Sequence, residues 1–338
     1  MYILGIESSC DETAAAIVKD GRTIVSSVVA SQIDLHKKTG GVVPEVAARS
    51  HVEVVIPVVD EALRLAKMTP RDIDAIAVTY GPGLIPALLI GVDTARALAM
   101  AWKKPLVAVN HMAGHLHSFR VDPAAKKIEY PVLALLVSGG HTELLLLKNE
   151  TNIKILGQTR DDAAGEAFDK VGKVLGLPYP GGPAVSRVAV DGDVHAFELP
   201  RPMLKDDNLD FSFSGLKTAV IDVVREELGA RPSKKQVANL AASFQQAVVD
   251  VLVGKTMRAA QIVKPKLLVL GGGVAANTLL RESLKNAAAE VKLPFLVPPM
   301  NVCTDNAIMI AVAGSLLARK KKFTAPEKLQ ANPNLILT

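Results

Sequence analysis

A strand–turn–strand signature occurs twice in this chain, 129 residues apart, and that repetition restricts its folds more than any other feature. Residues 2–6 are apolar, Glu7-Ser8-Ser9-Cys10-Asp11-Glu12 is a polar turn, and residues 13–18 are apolar again. The plan returns with residues 132–137, the turn Ser138-Gly139-Gly140-His141, and residues 142–147. Sliding one copy onto the other superposes Ser9 on Ser138, Thr13 on Thr142 and Lys19 on Lys148. Paired apolar runs around a short polar turn predict a hairpin at each place, and the fixed offset predicts a duplication. A second echo supports it. Residues 73–78 lead into Gly81-Pro82-Gly83 and a long Ala/Leu-rich helical stretch at 84–101. Residues 266–270 lead into Gly271-Gly272-Gly273 and a helical stretch at 274–289. Strands alternating with helices predict sheets with helices packed on them. The expected organisation is an N-terminal lobe at 1–125 and a C-terminal lobe at 126–318, joined near residues 122–130. A terminal helix at about 319–338 is expected to pack back on the first lobe.

A chain of 338 residues is long enough for about two domains with sizeable cores. Hydrophobic residues at 49% and charged residues at 22% give a soluble globular balance. No apolar run reaches the roughly 18 residues that span a bilayer, so no membrane partner is expected. Met1-Tyr2-Ile3-Leu4-Gly5-Ile6-Glu7 lacks the basic flank and cleavage site of a signal peptide. Two cysteines, Cys10 and Cys303, make no disulfide scaffold. Both observations lead to a cytoplasmic location. A net charge of +5 permits a polyanionic partner, while 4% aromatic residues argue against base-stacking platforms.

Two kinds of residue pattern carry possible chemistry. After the apolar run 105–109 comes Asn110-His111-Met112-Ala113-Gly114-His115, which puts two histidines four residues apart. On a helix they share one face, a spacing that can hold a metal ion or serve as an ordinary polar pair. Met112 stands where an HExxH metallopeptidase carries its general base. Asp305 in Thr304-Asp305-Asn306 precedes the apolar stretch 306–318 and reads first as a helix N-cap, second as an oxygen ligand. With the two histidines it would complete a two-His, one-carboxylate set that leaves coordination positions open. The glycine turns form the other group. Ser138-Gly139-Gly140 is either a plain hairpin turn or a nest of backbone N–H groups for an anion. Gly271-Gly272-Gly273 before a helix is either a packing turn or a nucleotide site strengthened by the helix terminus. Asp169, among helical apolar positions, is either solvated or within reach of a ribose hydroxyl, and Tyr179-Pro180-Gly181-Gly182-Pro183 is a rigid loop. Arg319-Lys320-Lys321-Lys322 reads as a solvated helix end rather than a nucleic-acid contact.

Six stretches together resemble one family: Glu7 to Thr13; Gly40-Gly41-Val42-Val43-Pro44-Glu45 through His51; His111 to His115; Ser138 to Thr142; Phe211-Ser212-Phe213-Ser214-Gly215-Leu216-Lys217-Thr218; and Gly271 to Asn277. In this order and spacing they are similar to the TsaD family of tRNA threonylcarbamoyltransferases, once described as O-sialoglycoprotein endopeptidases. The likeness runs from Tyr2 to about Ala313. It implies a duplicated actin/Hsp70/sugar-kinase-like (ASKHA) α/β fold of two lobes, with the active site in the cleft between them. It implies transfer of a threonylcarbamoyl group from threonylcarbamoyl-AMP to the exocyclic amine of the adenosine 3′ of the anticodon, in tRNAs reading codons that begin with A. The family's metal ligands fall on His111, His115 and Asp305, holding one divalent ion, Fe2+ or Zn2+. Its substrate contacts fall on Leu136, Val137, Ser138, Gly139, Gly140, Asp169, Gly182 and Asn277, a pocket that would also take ATP, ADP or AMP. One departure is Ser186, where many members carry an acid. The resemblance also implies tRNA and TsaB-like and TsaE-like proteins as partners.

That chemistry needs an anion-tolerant cradle and a cation near the leaving phosphate, with much of the work done by positioning. Asp11 and Glu12 are the candidates for proton acceptor or substrate orienter, because the matching turn of the other lobe is the candidate phosphate cradle. Two rival activities remain at this stage, a sugar-kinase-like ATP-dependent phosphotransferase and a metal-dependent endopeptidase.

Overall fold

A computed structural model describes residues 1–37, 39–229 and 231–337. The chain opens with β1 (Tyr2–Glu7), β2 (Glu12–Lys19) and β3 (Thr23–Ser31), an antiparallel meander. Then come α1 (Ile33–Lys37), α2 (Pro44–Ala66), β4 (Ala75–Gly81), α3 (Ile85–Trp102), β5 (Leu106–Asn110) and the short α4 (His111–His117). The sheet order is β3-β2-β1-β4-β5, with β4 parallel to β1 and β5 parallel to β4. The parallel strands need crossovers, and α2 and α3 supply them.

Ile128–Val297 forms a second compact unit. It contains β6 (Val132–Val137), β7 (Thr142–Leu147), β8 (Ile153–Gln158), α5 (Ala164–Val174), α6 (Gly181–Ala189), α7 (Ser214–Val223), α8 (Lys234–Val263), β9 (Leu267–Gly271), α9 (Thr278–Glu290) and β10 (Phe295–Leu296). Its sheet order, β10-β9-β6-β7-β8, is the first order with each strand replaced by its counterpart. The two hairpins also share one register. Glu7 faces Ala14, and 129 residues later Leu136 faces Glu143. The duplication read from sequence is therefore present at the level of individual strand pairs. A slip of one residue would have turned every apolar side chain to the other face, so identical register means identical inside and outside.

The chain closes with α10 (Ala307–Arg319), and here the expected boundary needs correction. Pro298–Thr338 belongs to the same unit as Met1–Lys127, not to the second lobe at 126–318. The reason is burial. Helix α10 is apolar nearly all round, from Ala307 through Leu316, and such a helix needs cover on every side. It lies on the sheet face formed by Ile3, Ala14, Ala16, Val18, Ala75, Ala77, Val107 and Val109. The opposite face, with Leu4, Ile6, Ile17, Ile76 and Val78, is covered by α2 and α3. The terminal segment also differs from expectation. It stays with this unit but is not a helix: Thr324 bridges to Leu106, and Pro326 opens only a short 3-10 turn. Prolines at 326 and 333 remove the donors a helix would use.

Helices α3 and α8 are long and apolar enough to match a bilayer span. Each packs within its own unit, α3 on β4 and α2, α8 on α6, α9 and β6.

Candidate metal centre and glycine turns

The first unit gathers the three side chains singled out as ligands. Strand β5 ends at Asn110, whose side-chain oxygen accepts the N–H groups of Met112 (2.8 Å) and Ala113 (3.2 Å) and so starts α4 as an N-cap. That places His111 and His115 on one face, with ring centroids 4.7 Å apart and edge to face. The sequence assigned a default N-cap role to Asp305, but Asn306 takes it by accepting Met309 N–H at 3.0 Å. Asp305 is thereby released to turn toward the histidines. Its Oδ1 lies 3.0 Å from His115 Nε2 and 3.5 Å from His111 Nε2, and the three ligand atoms fall within 4.8 Å of one another. Atoms held about 2.0–2.2 Å from one ion at tetrahedral or octahedral angles lie about 3.0–3.5 Å apart, a spacing that both Asp305–histidine separations match, so Asp305 with either histidine fits a divalent cation. A quarter of the Asp305 side chain is exposed, which leaves the group accessible.

The surroundings favour positive charge. Behind His111 lies Glu7, fully buried at the end of β1. Its Oε2 is 3.2 Å from His111 Nδ1 and accepts the Thr79 hydroxyl at 2.5 Å, while Oε1 accepts Ser9 N–H at 2.5 Å. Burial alone would raise the Glu7 carboxyl, but the charge and hydrogen bond of His111 outweigh it and hold Glu7 below the usual range. Asp305 behaves alike: burial opposes ionisation, and His111 and His115 overcome it, holding the carboxyl well below the ordinary value. For His111, burial pulls the imidazole down, but Asp305 and Glu7 together push it up to about 10. Carboxylates crowded around two imidazoles carry a buried negative excess, which is stable only with a cation or protons to balance it.

Asp11 and Glu12 sit on the β1–β2 turn of the same unit. The turn is held by Gln32 N–H donating to Asp11 O (3.0 Å) and by the buried His51. His51 Nε2 lies 3.0 Å from Cys10 O and its Nδ1 2.6 Å from Thr13 Oγ1. Glu12 Oε1 accepts the Ser31 hydroxyl at 2.8 Å, whereas its Oε2 is buried without a partner among the described residues. Burial, against the Ser31 hydrogen bond and with the charges of Asp11 and Asp305, pushes Glu12 up to about 7. Burial and then Asp305 raise Asp11 as well.

In the second unit, Leu136 and Val137 end β6, and the Ser138 turn closes with Ser138 N–H donating to His141 O (2.8 Å) and Ser138 Oγ accepting His141 N–H (3.1 Å). Gly139 and Gly140 are exposed, with open space where side chains would stand. Gly272 has φ +88°, and a Cβ there would overlap the Val137 carbonyl, which draws the β9 turn against the end of β6. The helix expected directly after the glycine triplet begins later, at Thr278, after a 3-10 turn at Gly273–Ala276. Its N-cap is Asn277, which accepts Leu280 N–H itself, so the triplet does not sit on an α-helix terminus. The side-chain amide of Asn277 donates to Ser186 Oγ (3.0 Å) and Gln245 Oε1 (2.8 Å). Asp169 Oδ1 accepts Gly181 N–H (2.7 Å) and Gly182 N–H (3.4 Å). Asp169, Gly182 and Asn277 thus meet around α6, the last through Ser186.

Sequence reasoning missed Glu7, Ser9, Thr79 and His51 as individual contributors. The available signal was Glu7, a lone carboxylate ending an apolar strand.

Two sheets of one strand order, each entered by the same hairpin, define an actin-like two-lobe α/β protein. Solved structures with this architecture bear that out. The activator of the 2-hydroxyisocaproyl-CoA dehydratase from Clostridium difficile aligns with TM-score 0.54 at 16% identity, covering 95% of this chain and 97% of that one. T. kodakarensis HypF aligns with TM-score 0.62 at 15% identity, covering 94% of this chain and 48% of that one. Sequence narrows the class to a family. The family model described as TsaD, tRNA N6-adenosine threonylcarbamoyltransferase, matches residues 23–312. A tRNA N6-adenosine threonylcarbamoyltransferase of Bacillus cereus is 52% identical over 336 residues, 98% of this chain and 96% of that protein. One from Bacillus subtilis is 51% identical over 341 residues, covering 100% and 96%. The chain belongs to the TsaD family.

Proposed function

We propose that this chain transfers the threonylcarbamoyl group of threonylcarbamoyl-AMP to the exocyclic amine of the adenosine 3′ of the anticodon, in tRNAs that read codons beginning with A. The observation that carries the reading is the convergence of two imidazole Nε2 atoms and one Asp305 oxygen in a member of this family. His111, His115 and Asp305 would hold one divalent ion, Fe2+ or Zn2+. When bound, it supplies a fixed positive charge and a Lewis acid for charge developing on the leaving phosphate.

The chain's own groups do the rest. The adenosine amine attacks the carbamoyl carbon, the bond to phosphate breaks, AMP leaves, and the amine gives up one proton. Glu12 is the proposed proton acceptor. Its buried, unpartnered Oε2 and a carboxyl pushed up to about 7 suit a general base at neutral pH. Asp11 beside it orients the substrate. The Ser138-Gly139-Gly140 turn, with Leu136 and Val137 before it, would cradle the phosphate, and Asp169, Gly182 and Asn277 would hold the adenosine. The amine is weakly basic, so holding it against the carbonyl accounts for much of the rate. TsaB-like and TsaE-like helpers belong to this reading. Met112 keeps the endopeptidase alternative without its helical base.

The direct test incubates the purified chain with helper proteins, tRNA, threonine, bicarbonate and ATP, then digests the tRNA for nucleoside mass spectrometry. Threonylcarbamoyladenosine is the expected product, and its absence under conditions where a B. subtilis relative makes it would overturn the assignment. The Glu12 role has its own test. A base works deprotonated, so transfer by the loaded enzyme should rise with pH and level off at or below about 7, since the bound cation lowers the inflection further. Glu12→Gln should remove that limb and cut single-turnover transfer by about 10²–10⁴-fold. An unchanged rate for Glu12→Gln would eliminate it as the base.

A further inference from the structure

We propose that Glu7 is the positioning residue that commits His111 to the form with hydrogen on Nδ1, and so aims the Nε2 lone pair at the cation. The inference rests on the metal-site reading above, and goes beyond it by naming what fixes one ligand. Glu7 has no exposed surface, and each of its oxygens already has work. Oε1 accepts Ser9 N–H, and Oε2 accepts the Thr79 hydroxyl. His111 Nδ1 stands 3.2 Å from Oε2. The other polar neighbour of Nδ1 is Ser9 Oγ at 3.1 Å, a hydroxyl that can donate or accept and therefore selects neither ring form. An ionised carboxylate only accepts. It holds a hydrogen on Nδ1, so that Nε2, which faces Asp305, is the nitrogen a cation there would take.

His115 offers the contrast. Its Nδ1 is buried and, among the described residues, has no hydrogen-bond partner, so no acceptor holds a hydrogen on that nitrogen. The two histidines are thus unequal: a buried carboxylate faces Nδ1 of His111, and no acceptor among the described residues faces Nδ1 of His115. Thr79 reaches Glu7 because β4 runs parallel beside β1, and His111 reaches it because α4 starts where β5 ends. Three strands of one sheet converge on this single side chain.

Glu7→Gln keeps the shape but offers only one accepting oxygen. Ser9 N–H and the Thr79 and His111 hydrogens require acceptors at both positions, so the new NH₂ group must face a donor. If it faces His111, the ring must carry its hydrogen on Nε2, where the metal would bind.

The experiment strips the full-length protein with chelator, reloads it with zinc, and measures zinc affinity by competition with a chromophoric chelator. Glu7→Gln should bind zinc about 10–100-fold more weakly, with faster release, beyond whatever the buried NH₂ group facing a donor takes from its metal-free thermal stability. A purely structural role predicts the reverse, lowered stability with affinity intact, and that outcome overturns the proposal. Nitrogen-15 NMR of the zinc-loaded wild type provides a test that needs no variant. A slowly exchanging hydrogen on His111 Nδ1 with zinc on Nε2 supports the inference, and zinc on Nδ1 refutes it. Failure of the wild type to take up zinc would refute the metal site itself. Tight zinc in both proteins would refute only the role of Glu7.

Discussion

His111→Ala and Asp305→Ala should each purify with metal near background and lose transfer by at least about 10³-fold. Three protein ligands are the usual minimum for an ion that keeps open positions for substrate. With one gone, the remaining pair cannot enclose the ion. Asp305 is expected to have the larger effect on affinity, because it supplies the negative charge within 3.0–3.5 Å of both imidazole Nε2 atoms. In Asp305→Ala, His111 also loses the larger of the two charges that favour its protonation, leaving Glu7 as the remaining one. Metal content by elemental analysis and single-turnover transfer, measured on the same preparations, check both expectations. Full occupancy in either variant would contradict the ligand assignment. Unfolding midpoints near wild type would show that the loss is chemical.

The parts of this site legible in the sequence are those set by local period. His111 and His115 share a face because a helix repeats every 3.6 residues, and the two hairpins declare themselves by apolar runs around matched turns. Asp305 lies 190 residues beyond His115, and no period connects them. Donor chemistry suggested the set and resemblance joined the three, but neither could say that Asn306 would take the cap and release Asp305. The lobe boundary failed for a related reason. Helix α10 follows the second unit in the chain, yet its all-round apolar surface is satisfied on the first sheet, a choice made by tertiary packing. Glu7 showed only as a lone carboxylate ending an apolar strand, because its meaning comes from strand neighbours: Thr79 stands beside it only once β1 and β4 pair. The glycine triplet was legible in one of its two readings, the packing turn. Its middle residue is needed for a close approach to Val137, whereas the α-helix read directly after it starts only at Thr278.

Gly5→Ala should damage the first unit severely, lowering stability by about 3 kcal/mol or more and weakening metal binding with it. Gly5 lies on β1 between buried Leu4 and Ile6, pairing with Ala16 on one side and Ala77 on the other. A Cβ there would overlap the Ala307 carbonyl oxygen and lie 2.8 Å from Ala311 N, both backbone atoms of α10. Backbone cannot rotate away as a side chain can, so the helix must lift from the sheet. Asp305 is two residues before α10, and Gly114, between the two histidines, packs on Met309 and Ile310 of the same helix. Moving α10 therefore moves one ligand directly and loosens the element that carries the other two. At about 2–4 °C per kcal/mol for a sizeable domain, the unfolding midpoint should fall by about 6–12 °C. Gly215→Ala is the matching control. It sits in α7 with open space around the added methyl, so it should be neutral or stabilising by up to about 1 kcal/mol. Calorimetry and zinc competition on both variants separate the outcomes. A Gly5→Ala protein that melts like wild type and holds zinc as tightly would mean that α10 does not set the metal centre.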